Sequence, residues 1–175
     1  MGIYEVAEAS AMLLVQNLAR LEGNPHPDRN YGAFALGHFR TDRPSEIIIK
    51  TTNIGANPHP DKEAKYGFLA LEKLIGNFSY WQRHQERRAL SRFPTVDENL
   101  WRFLGSALTV THDGRGVVSA FSGHPEGLVD EAIAGVVNYS LGLASEDQLE
   151  EIAGMSNNRY LPPMLKLYKE LRTAP

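Results

Sequence analysis

Apolar positions recur at mostly three- and four-residue spacings from Glu5 to Leu21, through Val6, Met12, Leu13, Leu14, Leu18 and Leu21, and predict a helix that Gly23 stops. The pattern then changes. Tyr31 to Arg40 lacks helical spacing and reads as a half-buried strand rich in small residues. Glu46 to Ile54 holds Ile47, Ile48, Ile49, Thr51 and Thr52, a β-branched density that suits a sheet. The polar turn Thr41-Asp42-Arg43-Pro44-Ser45 between the two runs predicts an antiparallel hairpin. Pro60 stands where a first helical residue belongs, with Asp61 and Glu63 in the first turn, apolar Tyr66, Leu69, Leu71, Leu74 and Ile75 behind them, and Gly76 as the stop. Ser79 to Phe93 reads as a third helix, and Thr95-x-x-Glu98 as a capping box opening a short fourth through Leu104.

A second hairpin is predicted where Ala107–Val110 and Val117–Phe121 flank the turn dipeptide Asp113-Gly114. An amphipathic stretch from Glu126 to about Leu141 follows, then a capping box at Ser145-x-x-Gln148 and a last short helix from Pro162 to Leu171. The order of helix, hairpin, helices, hairpin, helices predicts an α+β fold with a mainly antiparallel sheet built from two hairpins and helices packed on it. No linker divides the chain. The expectation is one domain over residues 1–175, with a core over 1–143 and a helical extension over 144–175.

Composition narrows the chemistry. The 175 residues are 42% hydrophobic and 22% charged, ordinary for a folded chain. They include no cysteine, which excludes disulfides, thiolate metal sites and a cysteine nucleophile, so any metal needs His and carboxylate ligands. The start carries Glu5 and Glu8 and no early basic cluster, so no secretory or transit signal is read and a cytoplasmic location is expected. No apolar run approaches the roughly 20 residues of a membrane span. A net charge of −3 gives no pull toward nucleic acid or membrane. Neither Gly-x-Ser-x-Gly nor His-Glu-x-x-His occurs.

The most distinctive feature is the pentad Asn-Pro-His-Pro-Asp, at Asn24–Asp28 and again at Asn57–Asp61. If the first hairpin turns around Asp42 to Pro44, paired positions sum to about 85 or 86, and His26 with His59 falls on that line. Both pentads are therefore expected at the open end of one hairpin. Two imidazoles and two carboxylates there, His26, His59, Asp28 and Asp61, can serve as general acid/base groups, and His26 and His59 as ligands of a divalent metal. The same residues are also ordinary turn and helix-start chemistry. His124, in Ser122-Gly123-His124-Pro125, joins a strand to a helix, where free backbone N–H groups favour an anion or simply make a turn.

Residues 81–102 hold Arg83, Arg87, Arg88, Arg92 and Arg102, whereas 117–158 hold no Lys or Arg and seven carboxylates, among them Asp130 and Glu131. This asymmetry reads as an Arg face for an anionic ligand, as mating faces of a homo-oligomer, or as two solvated helix faces.

The stretch Ala107-Leu108-Thr109-Val110, then Asp113-Gly114-Arg115-Gly116-Val117-Val118-Ser119-Ala120-Phe121-Ser122-Gly123, then Asp130-Glu131-Ala132-Ile133-Ala134, resembles the closing part of the GlcG/HbpS-like haem-binding family. The order of the earlier elements is similar too. The resemblance implies a profilin-like fold, assembly into oligomers, and haem or another tetrapyrrole as ligand. On that reading the chain is a small-ligand binding protein; no ligand of the family maps onto it, and position in this sequence, at loops converging on a sheet edge, offers His59 and His124 as axial ligands and the Arg-rich stretch Arg83 and Arg87 to pair propionates. The alternatives are a small-molecule enzyme (isomerase, lyase or cyclase) using the pentads, and an oligomeric assembly subunit without catalysis.

Overall fold

A computed structural model describes residues 2–84 and 105–173. The first helix, α1, runs Ile3–Gln16 and is finished by a 3-10 turn at Leu18–Arg20. Strands β1 (Gly32–Arg40) and β2 (Arg43–Ile54) form the first hairpin, turning at Thr41-Asp42. A 3-10 turn at Pro60–Lys62 opens helix α2 (Glu63–His84). Strands β3 (Ser106–Val110) and β4 (Arg115–Ser122) make the second hairpin, and helices α3 (Gly127–Ser140), α4 (Glu146–Ser156) and α5 (Leu161–Thr173) follow. The sheet order is β2-β1-β4-β3 with every neighbouring pair antiparallel. This is the α+β arrangement that the pattern of the sequence predicts, and it is consistent with the profilin-like description.

Alternation along β1 divides the interior in two. Phe34 and Leu36 point into a cluster built with α1, α3, α4 and α5, whereas Ala33, Ala35 and Phe39 point to the opposite face, against Ala70, Leu74, Phe78 and Trp81 of α2. Small residues on β1 let α2 lie close to the sheet. Phe39, Phe78 and Trp81 then gather at ring-centroid separations of 4.7 to 5.7 Å, near the hairpin end. Gly116 is obligatory beside them, since a Cβ there would sit 2.2 Å from the Phe39 ring.

Two boundaries differ from the sequence expectation. Gly76 does not stop a helix: α2 continues through it to His84, because the buried stripe Ala70, Leu74, Phe78 and Trp81 keeps helical spacing across the glycine. The helix expected over Ser79–Phe93 is thus, as far as His84, the C-terminal end of α2. The short helix expected from Thr95 lies outside the described residues. Other local signals hold. Gly114 takes a left-handed φ of 77° in the Asp113-Gly114 turn, and Ser145 with Gln148 forms a reciprocal capping box at α4.

Candidate functional site

The paired part of β1 and β2 has Gly32 opposite Ile54 and His38 opposite Ile48, so partners sum to 86. Ala33 is also paired with Ser122 at the end of β4. Three loops therefore meet at this end of the sheet: 23–31 before β1, 55–62 after β2, and 122–126 after β4. Their approach is close. A Cβ on Gly123 would lie 2.4 Å from the Tyr31 carbonyl oxygen, and one on Gly55 would lie 2.2 Å from that of Asn30. Tyr31 and Tyr66 face each other across the junction at 6.2 Å.

The two pentads share a backbone turn. In the first, the Asn24 Oδ1 accepts from the His26 backbone N–H at 3.0 Å; in the second, the Asn57 Oδ1 accepts from that of His59 at 2.9 Å. Beyond that they part. Asn24 also donates to the Leu18 carbonyl at 2.9 Å and lies 3.0 Å from His124 Nε2. The His26 ring meets the His124 ring edge-on, with centroids 5.6 Å apart. His59 and Asp61 are exposed, as is Asp28, whereas His26 is half-buried. The structure thus places the pentads at one end of the hairpin, but it is His124 that His26 touches.

His124 is buried, and its two ring nitrogens have fixed roles. Nδ1 accepts from the Glu126 backbone N–H at 3.1 Å and so carries no proton; Nε2 carries it and donates to Asn24. Burial, and then the neighbouring His26, hold this imidazole below the ordinary histidine value. Both nitrogens are engaged within the chain.

The anion expected at the strand-to-helix turn is supplied internally. Asp130 Oδ1 accepts from the His124 backbone N–H at 3.1 Å, and the Gly123 N–H also bonds the carboxylate. Asp130 Oδ2 lies 2.8 Å from Lys73 Nζ, which donates to the Phe121 carbonyl at 2.8 Å as well. Burial pushes the Asp130 carboxyl up to about 6 against the opposing pull of Lys73. Glu131 is buried too, bonded to Ser156 and Asn158. Two of the seven carboxylates of the acidic stretch are therefore interior, and do not belong to a mating face.

Arg83 is exposed on the last turn of α2, and Arg87 lies outside the described residues. Among the described residues no group of three or more His, Asp or Glu side chains is placed to hold a metal ion. No helix among them is long and apolar enough to cross a membrane. Lys73, Asp130 and Asn24 carry the junction and escaped sequence reasoning. One signal was available: Lys73 and Asn77 sit in phase with the buried positions Ala70, Leu74 and Phe78, where a charged side chain needs a partner. Comparison with family models, curated proteins and solved structures returns no match.

Proposed function

We propose that the chain is a small-ligand binding protein whose ligand, a tetrapyrrole such as haem, docks at the three-loop end of the sheet with His59 as its axial ligand. One observation carries this reading. Of the three histidines at that end, His124 has both nitrogens engaged and His26 is packed against it, whereas His59 is exposed and its ring makes no hydrogen bond or ring contact among the described residues. Its backbone is held by the Asn57 turn, so the imidazole is presented from a fixed base. A neutral imidazole nitrogen is the donor that haem iron takes, and the resemblance in β3, β4 and α3 points to the same ligand class.

The test is a visible-absorption titration with haem, following the Soret band. One equivalent per chain is expected to saturate the wild type, and His59→Ala to weaken binding by about tenfold or more, as loss of an axial ligand requires. His26→Ala should leave the spectrum of the complex unchanged. A non-saturating wild type, or unchanged affinity and spectrum in His59→Ala, would overturn the reading.

A further inference from the structure

We propose that β2 is an interface between two copies of this chain: their β2 strands pair antiparallel about a two-fold axis at Ile48 and join two four-stranded sheets into one. The two edges of the sheet are not alike. β3 is short and buried along its whole length, whereas β2 runs for 12 residues and every position but Ile54 is exposed or half-buried. An open edge of that length carries backbone N–H and C=O groups that a further strand satisfies. Ile48, in its middle, is 61% exposed. The segment Ser45-Glu46-Ile47-Ile48-Ile49-Lys50-Thr51 is complementary to its own reverse. A two-fold axis on Ile48 sets each Glu46 opposite Lys50 of the second copy, each Ile47 opposite Ile49 of the second copy, and Ser45 opposite Thr51. The register is specific. An axis normal to the sheet keeps each face with itself and so passes through a residue; centred on Ile47 or Ile49 it sets Glu46 or Lys50 against Ile48, and centred on Glu46 or Lys50 it sets like charges together.

Both faces of the strand suit this pairing. On the α2 side, Ile47 and Ile49 pack against the cluster of Ala70, Leu74, Phe78 and Trp81, and the pairing carries that apolar surface across the axis. The exposed apolar side chains of α2 lie toward the same edge: Lys73 and Asn77 reach β4 and β3, and at helical spacing Phe68 and Ile75 fall on the opposite flank. On the α1 side stand Glu46, Ile48 and Lys50. In the single chain Glu46 meets Arg43 at 4.0 Å and Lys50 lies 4.6 Å from the Tyr4 ring centroid; Glu46, Arg43 and Lys50 are exposed, so neither contact holds its charge from a partner across the axis. The Tyr4 O–H donates to the Ile48 carbonyl at 2.7 Å, which leaves that oxygen a second lone pair. Pro44 has no N–H to give and bounds the paired segment.

Sedimentation equilibrium of the full chain at about 100 μM tests this, with the mass of two chains expected. Glu46→Lys and Lys50→Glu each set like charges together twice across the axis and should weaken the dimer by about tenfold or more, whereas the two reversals combined should restore it. A wild type with the mass of one chain overturns the proposal, even if the edge accepts a strand of another protein. So does a dimer indifferent to both single reversals, or one that the combined reversal fails to restore. Should a reversed variant not fold, single thiols decide, since the chain has no cysteine of its own. Residues facing their own copy across the axis have Cα atoms about 4.5–5.5 Å apart, within disulfide reach, so Ile48→Cys should cross-link two chains on mild oxidation. The two copies of residue 51 stand six residues apart along the strands, about 20 Å, and Thr51→Cys should not. Equal cross-linking of the two variants, or none in Ile48→Cys, overturns the pairing.

Discussion

Lys73 and Asp130 place two full charges inside the protein, with side chains only 7% and 3% exposed, and so tie α2, α3 and the end of β4 to one another. Removing one partner leaves the other charge buried and alone. Lys73→Ala and Asp130→Ala should each cost about 3–5 kcal/mol in urea denaturation, whereas the joint replacement Lys73→Met with Asp130→Leu should cost much less than the sum. An additive pair would mean that the two charges do not depend on each other. The pair also sets a pH dependence with a definite sign. Because burial raises Asp130 from 3.8 to about 6, the folded chain keeps a proton that the unfolded chain releases between those values. Its contribution to stability is full below the unfolded value and falls as pH rises through 6, by about 3 kcal/mol at about 1.4 kcal/mol per pH unit. The stability of the wild type relative to Asp130→Asn should fall by that amount between about pH 4 and pH 7, and a constant difference would place the titration elsewhere.

Elements respond to glycine in opposite ways according to what surrounds it. Gly67 and Gly154 lie inside α2 and α4 with nothing within 4 Å of an added Cβ. Gly67→Ala and Gly154→Ala should each stabilise the protein by about 0.5–1 kcal/mol, seen as a raised Tm, because alanine restricts the unfolded chain without strain. Gly116→Ala must instead displace the Phe39 ring and lower Tm. The same contrast between local and distant determinants decides what the sequence reveals. The β1–β2 register, the Asp113-Gly114 turn and the Ser145 capping box are encoded within a few neighbouring residues, and each is legible. Gly76 misleads because a glycine's local preference for ending helices is weaker than the burial of the stripe from Ala70 to Trp81. The loop junction is less legible still. Asn24 and His124 lie 100 residues apart and Lys73 and Asp130 lie 57 apart, so no local pattern records either pairing.

At the scale of the molecule, the helices after residue 143 are no appendage to a self-sufficient core over 1–143. Leu149 and Ile152 of α4, Tyr160, and Leu161, Met164, Leu167 and Tyr168 of α5 belong to the same buried cluster as Leu14, Phe34, Phe121 and Ile133. Leu149 and Leu161 close over Gly135, where an added Cβ would meet them at 3.4 and 3.1 Å. At about 1.5–3 kcal/mol for each large apolar side chain, losing these seven removes more than about 10 kcal/mol. A protein of this size has only about 5–15 kcal/mol to lose. The deletion would also uncover α3 where Leu161 packs on Gly135, and leave buried Glu131 without Ser156 and Asn158. A chain ending at residue 143 should therefore show no cooperative thermal transition by circular dichroism and should bind a hydrophobic dye at room temperature. Cooperative unfolding of that fragment near the wild-type Tm would mean that α1, α3 and the sheet hold together without α5, and that the burial of those seven side chains is a consequence of the fold rather than a condition for it.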